Sequence, residues 1–417
     1  MPDSLERIEI EHDLDDKACP ACERCRIGAE VSEQLEYFPA SFKVLKHIRH
    51  KYACARCDHD GYDPNIEAAK KPPQLIEKGL PGPSMLAYVA VSKLGDHLPL
   101  YRLERIFERQ RVHVARSTMC AWMRCAGELV RPLVELMAER VRHSKVIHTD
   151  DTTVPIQSPG AASQKNGQCR KGRIWCYLGD EQSPYLVYDY TPNRQRAGPA
   201  KWLSGCEGYL QADAYGGVFH PQNVTEVACW AHARRKFYDA QDSDEERSTQ
   251  MLALIGQLYQ VERESKELSD ALRLAVRKER SVPMLEKIKA WLDAEHEVVL
   301  PRSPTATAIT YAQNQWRALT TYTTQGFLNI DNNASERALK RVAIGRKNWL
   351  FAGNDAAAEN QARLWSLIAS CERHGVDPQR YLTSLLAKIG QTPAEELEQF
   401  LPDVWKADDA DEPAPAE

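Results

Sequence analysis

Residues 145–156 read KVIHTDDTTVPI, an alternation of apolar and polar side chains that is typical of a β-strand. The run carries two adjacent acids, Asp150 and Asp151. Successive side chains of a strand point to opposite faces, so only one of these acids can face a given site. The runs GRIWCYLGD (172–180) and PYLVYDYTP (184–192) predict two more strands, and RAGPAKWLSG (196–205) predicts a short helix.

A fourth strand follows in GYLQAD (208–213), and the run ACWAHARRKFYDA (228–240) predicts a helix after it. Three strands, a helix, a strand and a helix are the element order of a ribonuclease-H-like core, in which a mixed sheet carries acids at neighbouring strand ends. We therefore expect Asp150 where the first strand ends and Asp213 where the fourth strand ends. Glycines just beyond Asp213 would allow a close approach of backbone or ligand.

A third acid lies in IDNNASERALKRVAIGRKNWLF (330–351). Glu336 can be explained as part of a capping box that starts at Asn333, with an ion pair to a lysine one turn later. That explanation leaves out the density of cations around it. We therefore keep a second interpretation, in which Glu336 is a metal ligand beside a nucleic-acid track. The cations of that track are Arg337, Lys340, Arg341, Arg346 and Lys347.

Taken singly, each acid has a structural explanation: Asp150 and Asp151 as turn formers, Asp213 as an Asx-turn and Glu336 as a capping residue. Taken together, carboxylates on three separate elements are suited to hard cations such as Mg²⁺. Two such ions can activate an attacking oxygen and stabilise the leaving oxygen of an in-line phosphodiester displacement. The joint pattern favours a catalytic site of Asp150, Asp213 and Glu336.

The cysteine pattern near the start of the chain indicates a second metal. Two C-x-x-C knuckles supply the four thiolates of a tetrahedral zinc site, with Cys25 as a spare. The predicted zinc ligands are Cys19, Cys22, Cys54 and Cys57. The segment between the knuckles alternates cations with apolar residues and predicts a basic, strand-like face that contacts DNA phosphates, although a solvated edge would look similar. Its cations are Lys43, Lys46, Arg49 and Lys51.

Residues 85–141 change to a helical pattern with a short break at RVHVARS (111–117). Two helices around that connector, with Ser117 as N-cap, form a helix-turn-helix candidate whose second helix carries Trp122 and Arg124. Leu103, Ile106 and Phe107 face a core whether or not the motif binds DNA.

The chain has an overall charge of −5, but the residues between its acidic ends carry a net positive charge. The acidic segments 1–16 and 403–417 carry thirteen acids and two bases; the rest has 52 basic and 46 acidic residues, a charge of +6. No apolar stretch is long enough to span a bilayer, and the acidic start is unlike a secretory signal, so we expect a cytoplasmic protein.

Several segments together resemble the insertion sequence 66 family of bacterial transposases over roughly residues 19–390: CPAC, HTDDTTVPI, YLQADAYGG, CWAHARRKF, IDNNASERALKRVAIGRKNWLFAG and RHGVDPQRYLTSLL. The resemblance implies a DDE transposase and matches Asp150, Asp213 and Glu336 to its catalytic acids. Asp150 is preferred to Asp151 because the family usually has Asp-Glu-Thr here. Cys229 and His232 resemble a C-x-x-H element of several such enzymes and are expected to be structural.

The predicted fold is a multidomain α+β chain: a zinc ribbon, a helix-turn-helix-like domain, and a ribonuclease-H-like α/β core with a helical insertion. The expected parts are a disordered acidic leader (1–18), the zinc ribbon (19–66), a helical DNA-binding or linker domain (70–144), the first part of the core (145–242), the insertion (243–327), the second part of the core (328–390) and an acidic tail (391–417).

The expected activity is cutting at element ends and joining of 3′ ends to target DNA with two Mg²⁺ ions, for which Mn²⁺ can substitute, alongside one structural Zn²⁺. Expected partners are terminal inverted repeats, target DNA, a second copy of the chain or more, and accessory transposition proteins, with no membrane. Two alternatives stay open: a zinc-ribbon DNA-binding protein with an inactive core, and a ribonuclease-H-like nuclease that cleaves without joining.

Overall fold

The structure is a computed structural model that describes residues 41–52, 67–69, 75–76, 81–157, 169–213 and 223–406. The chain divides into two compact units, Met1–Lys71 and Pro72–Glu417. The four predicted zinc ligands Cys19, Cys22, Cys54 and Cys57 lie outside the described residues, as do the glycines after Asp213 and the acidic leader.

The described part of the first unit contains one small ladder. Strand β1 (Lys51–Tyr52) pairs antiparallel with β2 (Glu67–Ala68), and the Arg49 side chain donates a hydrogen bond to the Ala69 carbonyl at 2.6 Å. Residues 41–50 form no strand, and their side chains are exposed. The predicted strand-like face of this segment is therefore wrong, because alternation alone does not form a strand where no partner pairs with its backbone.

The second unit is built on a five-stranded mixed sheet in the order β5-β4-β3-β6-β7. Its strands are β3 (Val146–Gln157), β4 (Cys169–Leu178), β5 (Leu186–Thr191), β6 (Gly208–Ala212) and β7 (Val224–Ala228). Strand β3 pairs antiparallel with β4 and parallel with β6; β4 and β5 are antiparallel, and β6 and β7 are parallel. Residues 146–149 are all buried because this central strand is covered on both faces.

Fourteen α-helices accompany the sheet in the described residues. They are α1 (Pro83–Leu94), α2 (Leu100–Arg109), α3 (Arg116–Leu129), α4 (Arg131–Arg142), α5 (Ala197–Trp202), α6 (Trp230–Asp239), α7 (Glu245–Glu264), α8 (Asp270–Val276), α9 (Val282–His296), α10 (Pro304–Asn314), α11 (Trp316–Thr320), α12 (Asn333–Trp349), α13 (Asp355–Arg373) and α14 (Pro378–Lys388). A π-helical turn, Arg277–Ser281, links α8 to α9, and short 3-10 turns cover Thr321–Thr324, Ile389–Gln391 and Ala394–Phe400.

These elements enclose two hydrophobic cores. The larger packs α1–α4 and α12–α14 with strands β3–β5, and includes Leu103 and Phe107, as the helical pattern predicted. The smaller joins β7 and α6 to helices α7 and α9–α11, where Met251, Ile255 and Leu258 of α7 are buried. The helical segment between α6 and α12 therefore packs against the end of the sheet.

The multidomain α+β prediction is confirmed, and several local details are corrected. The helical run at 85–110 is two helices, because the chain turns at Gly95–Pro99, where His97 has a positive φ of 61°. Ser117 lies inside α3, whose N-cap is Ala115, so the predicted cap is wrong. Trp122 of that helix is buried in the core, while Arg124 is exposed. Strand β7 has no counterpart among the strands predicted from the sequence.

Candidate active site

The two adjacent acids of β3 point to opposite faces, as strand geometry requires. The Asp151 side chain is 2% exposed and forms ion pairs with Arg173 at 2.7 Å and Arg194 at 2.9 Å. Asp150 is half-buried, and its Oδ1 accepts a hydrogen bond from the Asp151 backbone amide at 2.7 Å. Asp151 is thus occupied by two guanidinium groups, which leaves Asp150 as the acid of the other face.

The sequence predicted that Asp150 ends its strand, and this prediction is wrong. Strand β3 continues to Gln157 and is paired with β4 from His148 onward, whereas its parallel pairing with β6 stops at His148 and Gln211. Asp150 therefore lies just past the point where β6 leaves β3. Asp213 follows the last residue of β6 directly. The divergence of the two parallel strands brings both acids to one edge of the sheet.

Glu336 lies in the first turn and a half of α12, but the predicted capping box is wrong. The N-cap is Asn332 without a side-chain capping bond, and Asn333 is already helical. Glu336 Oε1 is buried and has no hydrogen-bond partner, with His232 Nε2 at 3.6 Å. An orphaned buried carboxylate oxygen is costly, so a capping role does not explain this residue.

A buried asparagine, Asn332, connects α12 to the strand that carries Asp150. Its Nδ2 donates to the Thr149 carbonyl at 2.8 Å, and its Oδ1 lies 3.1 Å from His148 Nδ1. Its backbone amide donates to Cys229 Sγ at 3.2 Å. Asn332 is fully buried, so a donor or acceptor left without a hydrogen bond here would destabilise the folded state. The start of α12 is therefore fixed relative to β3.

The loop before Asn332 is fixed to β6 in the same way. The buried Gln211 side chain donates from Nε2 to the carbonyls of Asn329 and Asp331, at 2.6 and 2.9 Å. Asn329 Nδ2 lies 3.4 Å from His148 Nε2. Burial lowers the pKa of His148 to about 4, so the ring is neutral and bonds as Nδ1 donor and Nε2 acceptor. These contacts join residues far apart in sequence, and no sequence pattern marked His148, Gln211 or Asn332.

The acids influence one another electrostatically. Burial, together with the carboxylates of Asp213, Asp151 and Glu336, raises the pKa of Asp150 to about 7. The backbone hydrogen bond from Asp151 acts in the opposite direction. The three predicted site acids therefore lie within electrostatic range, on β3, after β6 and on α12. Clustered carboxylates with a buried, unpaired oxygen are the donor set that a divalent cation would neutralise, so these residues fit the metal that the chemistry implies.

Cys229 and His232 adjoin this cluster. Cys229 is fully buried between β7 and α6, and burial raises the pKa of its thiol to about 11. One donor atom from each of Cys229, His232 and Glu336 lies within 4.8 Å of the other two. The expected structural role of Cys229 is supported by its bond to Asn332, but His232 faces a predicted catalytic acid, which the sequence did not indicate.

The cations of α12 divide into two groups. Arg341 forms an ion pair with Glu372, and Arg346 bonds to Thr152 and Thr153 of β3 at 3.0 and 2.8 Å through their hydroxyl groups. The remaining three are exposed at helical spacing along one side. We call them the α12 basic stripe: Arg337, Lys340 and Lys347. Lys43, Lys46, Arg49 and Lys51 of the first unit are exposed as well.

Comparison with known proteins places the chain in a family. The family model described as "Transposase IS66 family" matches residues 78–360, two-thirds of the chain. The chain belongs to the IS66 family of transposases. The model of the "zinc-finger binding domain of transposase IS66" matches residues 16–58, and that of the "IS66 C-terminal element" matches residues 366–402. The resemblance seen in the sequence is confirmed.

Two curated relatives of this IS66 family member come from Sinorhizobium fredii (strain NBRC 101917 / NGR234). "Uncharacterized protein y4hP" is 32% identical, in a match that takes in 97% of this chain and 76% of the relative. "Uncharacterized protein y4qI" is 34% identical over the same shares.

Within the described residues, no helix combines the length and the apolar character needed to cross a bilayer.

Proposed function

We propose that this IS66 family member is a DNA transposase that cuts at the ends of its element and joins the 3′ ends to target DNA. The observation that carries the proposal is the convergence of Asp150, Asp213 and Glu336, with the buried Asn332 holding the helix of Glu336 against the strand of Asp150. The sheet order, with one antiparallel hairpin on one side of β3 and two parallel strands on the other, supports a ribonuclease-H-like core. The segment 243–327 would then be its helical insertion.

The chain's own residues would position the DNA. Asp150, Asp213 and Glu336 would hold divalent cations, Mg²⁺ or Mn²⁺, which supply Lewis-acid activation of the attacking oxygen and charge stabilisation at phosphorus. The α12 basic stripe starts one residue after Glu336 and would bind the phosphates that flank the reacting bond. Asp151, fixed by Arg173 and Arg194, would hold β3 rigid without touching the reacting groups.

A structural role is proposed for Zn²⁺ at Cys19, Cys22, Cys54 and Cys57, consistent with the zinc-finger match over residues 16–58. The exposed cations Lys43, Lys46, Arg49 and Lys51 would contact DNA backbone near that ion. The helices of residues 70–144 would serve as a further DNA-binding or linking domain. Synapsis of two element ends would require at least a dimer.

A strand-transfer assay tests the proposal. Labelled duplexes that carry the inverted repeats flanking the gene are incubated with the protein, a circular target and Mg²⁺. The expected products are nicked ends and ends joined to the target. Nicking without joined product would instead indicate a nuclease, and binding without either product would indicate a DNA-binding protein with an inactive core.

A further inference from the structure

The contact between His232 and Glu336 lies beside a buried sulfur atom. Cys229 Sγ is fully buried and accepts a hydrogen bond from the Asn332 amide, as thiolate ligands in metal sites commonly do. His232 Nε2 is 3.6 Å from Glu336 Oε1. One donor atom from each of Cys229, His232 and Glu336 lies within 4.8 Å of the other two. Two donors to one tetrahedral ion are separated by roughly 3.3 to 3.9 Å, given metal–ligand distances of about 2.0 to 2.3 Å. Small side-chain rotations would close the site.

Two of these groups carry polar atoms that the protein leaves without a partner. His232 Nδ1 and Glu336 Oε1 are both buried and have no hydrogen-bond partner. Such atoms are uncommon in folded proteins and call for an explanation. A bound cation would satisfy Glu336 Oε1, and it would satisfy His232 Nδ1 where the ring binds through that nitrogen. The sulfur comes from Cys229, the N-cap of α6, and the imidazole comes from His232 of the same helix. The carboxylate comes from Glu336 of α12, so the three groups converge from two helices.

We propose that Cys229, His232 and Glu336 form a three-ligand site for a borderline or soft divalent cation such as Zn²⁺. The donor set distinguishes this site from the acid cluster, because sulfur and imidazole select Zn²⁺ over Mg²⁺. The site is also separate from the zinc knuckles, because Cys229, His232 and Glu336 all belong to the second unit. Three protein ligands leave a fourth tetrahedral position open.

Sharing Glu336 has a functional consequence, which rests on the proposed function. A carboxylate can bridge two cations through its two oxygens, or it can be drawn wholly to one of them. Zn²⁺ bound by Cys229 and His232 would compete with the acid cluster for Glu336. The site would therefore make DNA cleavage sensitive to Zn²⁺ at concentrations far below those of Mg²⁺.

Cobalt binding tests the site without any need for DNA cleavage. Metal-free full-length protein is titrated with Co²⁺, and bound ions are counted from the thiolate-to-cobalt absorbance. Wild type should bind two sulfur-ligated ions, one in the knuckles and one at Cys229. Cys229→Ser should lose one ion while keeping an acceptor for the Asn332 amide, and His232→Gln should weaken the same ion at least tenfold.

Three controls locate the signal. Cys54→Ser should remove the knuckle ion and leave the other, and the exposed Cys120→Ser should remove neither. Far-ultraviolet circular dichroism confirms that each variant is folded. Equal cobalt stoichiometry and affinity in wild type, Cys229→Ser and His232→Gln would overturn the proposal.

A second arm tests the competition. Mg²⁺-dependent cleavage is measured against added Zn²⁺, and each variant is normalised to its own rate without Zn²⁺. The Zn²⁺ concentration for half-inhibition should rise at least tenfold in His232→Gln. If no protein cleaves DNA under any condition, the proposed function fails while the cobalt result still decides the metal site.

Discussion

Replacement of Asn332 by alanine should destabilise the start of α12 more than the loss of a few side-chain atoms suggests. The change removes the donor to the Thr149 carbonyl and the acceptor for His148 Nδ1, both buried. Each of the two partners left without a bond costs about 1 to 3 kcal/mol, so we expect a loss of roughly 2 to 6 kcal/mol in the free energy of unfolding. The methyl group of alanine replaces neither bond.

Asn333→Ala is the matched control, since the neighbouring side chain bonds only to Asp331 within the same loop, at 2.8 Å. Its cost should be below about 1 kcal/mol. Urea unfolding gives the global effect for both variants, and hydrogen exchange of the peptide covering residues 329–340 gives the local one. Exchange there should accelerate by at least about 30-fold in Asn332→Ala, since each tenfold change corresponds to about 1.4 kcal/mol.

The activity of Asn332→Ala should fall as well, by about a hundredfold if Glu336 moves by roughly 1 Å. Because Asn332 acts through Glu336, the loss should appear chiefly in kcat, with the KM for DNA little changed. Identical urea midpoints and exchange rates for Asn332→Ala and Asn333→Ala would refute the reasoning, because they would show that the loop is held by other contacts.

Other variants test separate parts of the molecule. Arg277→Met removes a buried guanidinium that pairs with Glu262 at 2.6 Å and donates to four backbone carbonyls at 2.7 to 3.3 Å; it should cost about 3 to 5 kcal/mol in urea unfolding, against less than about 1 kcal/mol for the exposed Arg280→Met. Alanine at all three positions of the α12 basic stripe should weaken binding to every DNA sequence alike and flatten the salt dependence by about three units of slope, and an unchanged slope would contradict the phosphate contacts. Burial lowers the pKa of Lys93 to about 8, opposed by the nearby Cys120, so between pH 8 and 10.5 the unfolded chain binds the extra proton and the Lys93 contribution to the free energy of unfolding should rise by up to roughly 3 kcal/mol. Because buried thiols such as Cys229 titrate in the same range with the opposite sign, the test is the difference between wild type and Lys93→Met, which should grow by that amount; parallel pH profiles for both proteins would count against it.

The sequence predicted what depends on local pattern. Strands β3–β6 follow from alternation, and the opposite orientation of Asp150 and Asp151 follows from strand geometry alone. The acids could be grouped because their elements occur in a recognisable order. Strand β7 was missed because Val224–Ala228 is short and follows a polar segment, so its strand character depends on pairing with β6.

The supporting contacts of the site could not be predicted, for a physical reason. Asn332 and Thr149 are 183 residues apart in sequence, and Gln211 and Asn329 are 118 apart. A buried asparagine or glutamine has the same sequence appearance as an exposed one, so only the fold reveals that its bonds are buried. For the same reason the sequence did not reveal that Arg346, a predicted DNA contact, also bonds to Thr152 and Thr153.

The central claim is that Asp150 is a metal-binding catalytic acid and that its neighbour Asp151 is not. The most direct measurement compares Asp150→Asn with Asp151→Asn for Mn²⁺ binding by electron paramagnetic resonance and for DNA cleavage in Mg²⁺. Asp150→Asn should lose a bound ion and on the order of 10³-fold in cleavage rate, since a metal contributes several kcal/mol at the transition state. Asp151→Asn should lose stability from its pairs with Arg173 and Arg194 but retain the ion and most of the activity. Full Mn²⁺ binding and cleavage in Asp150→Asn, or their loss in Asp151→Asn alone, would contradict the account.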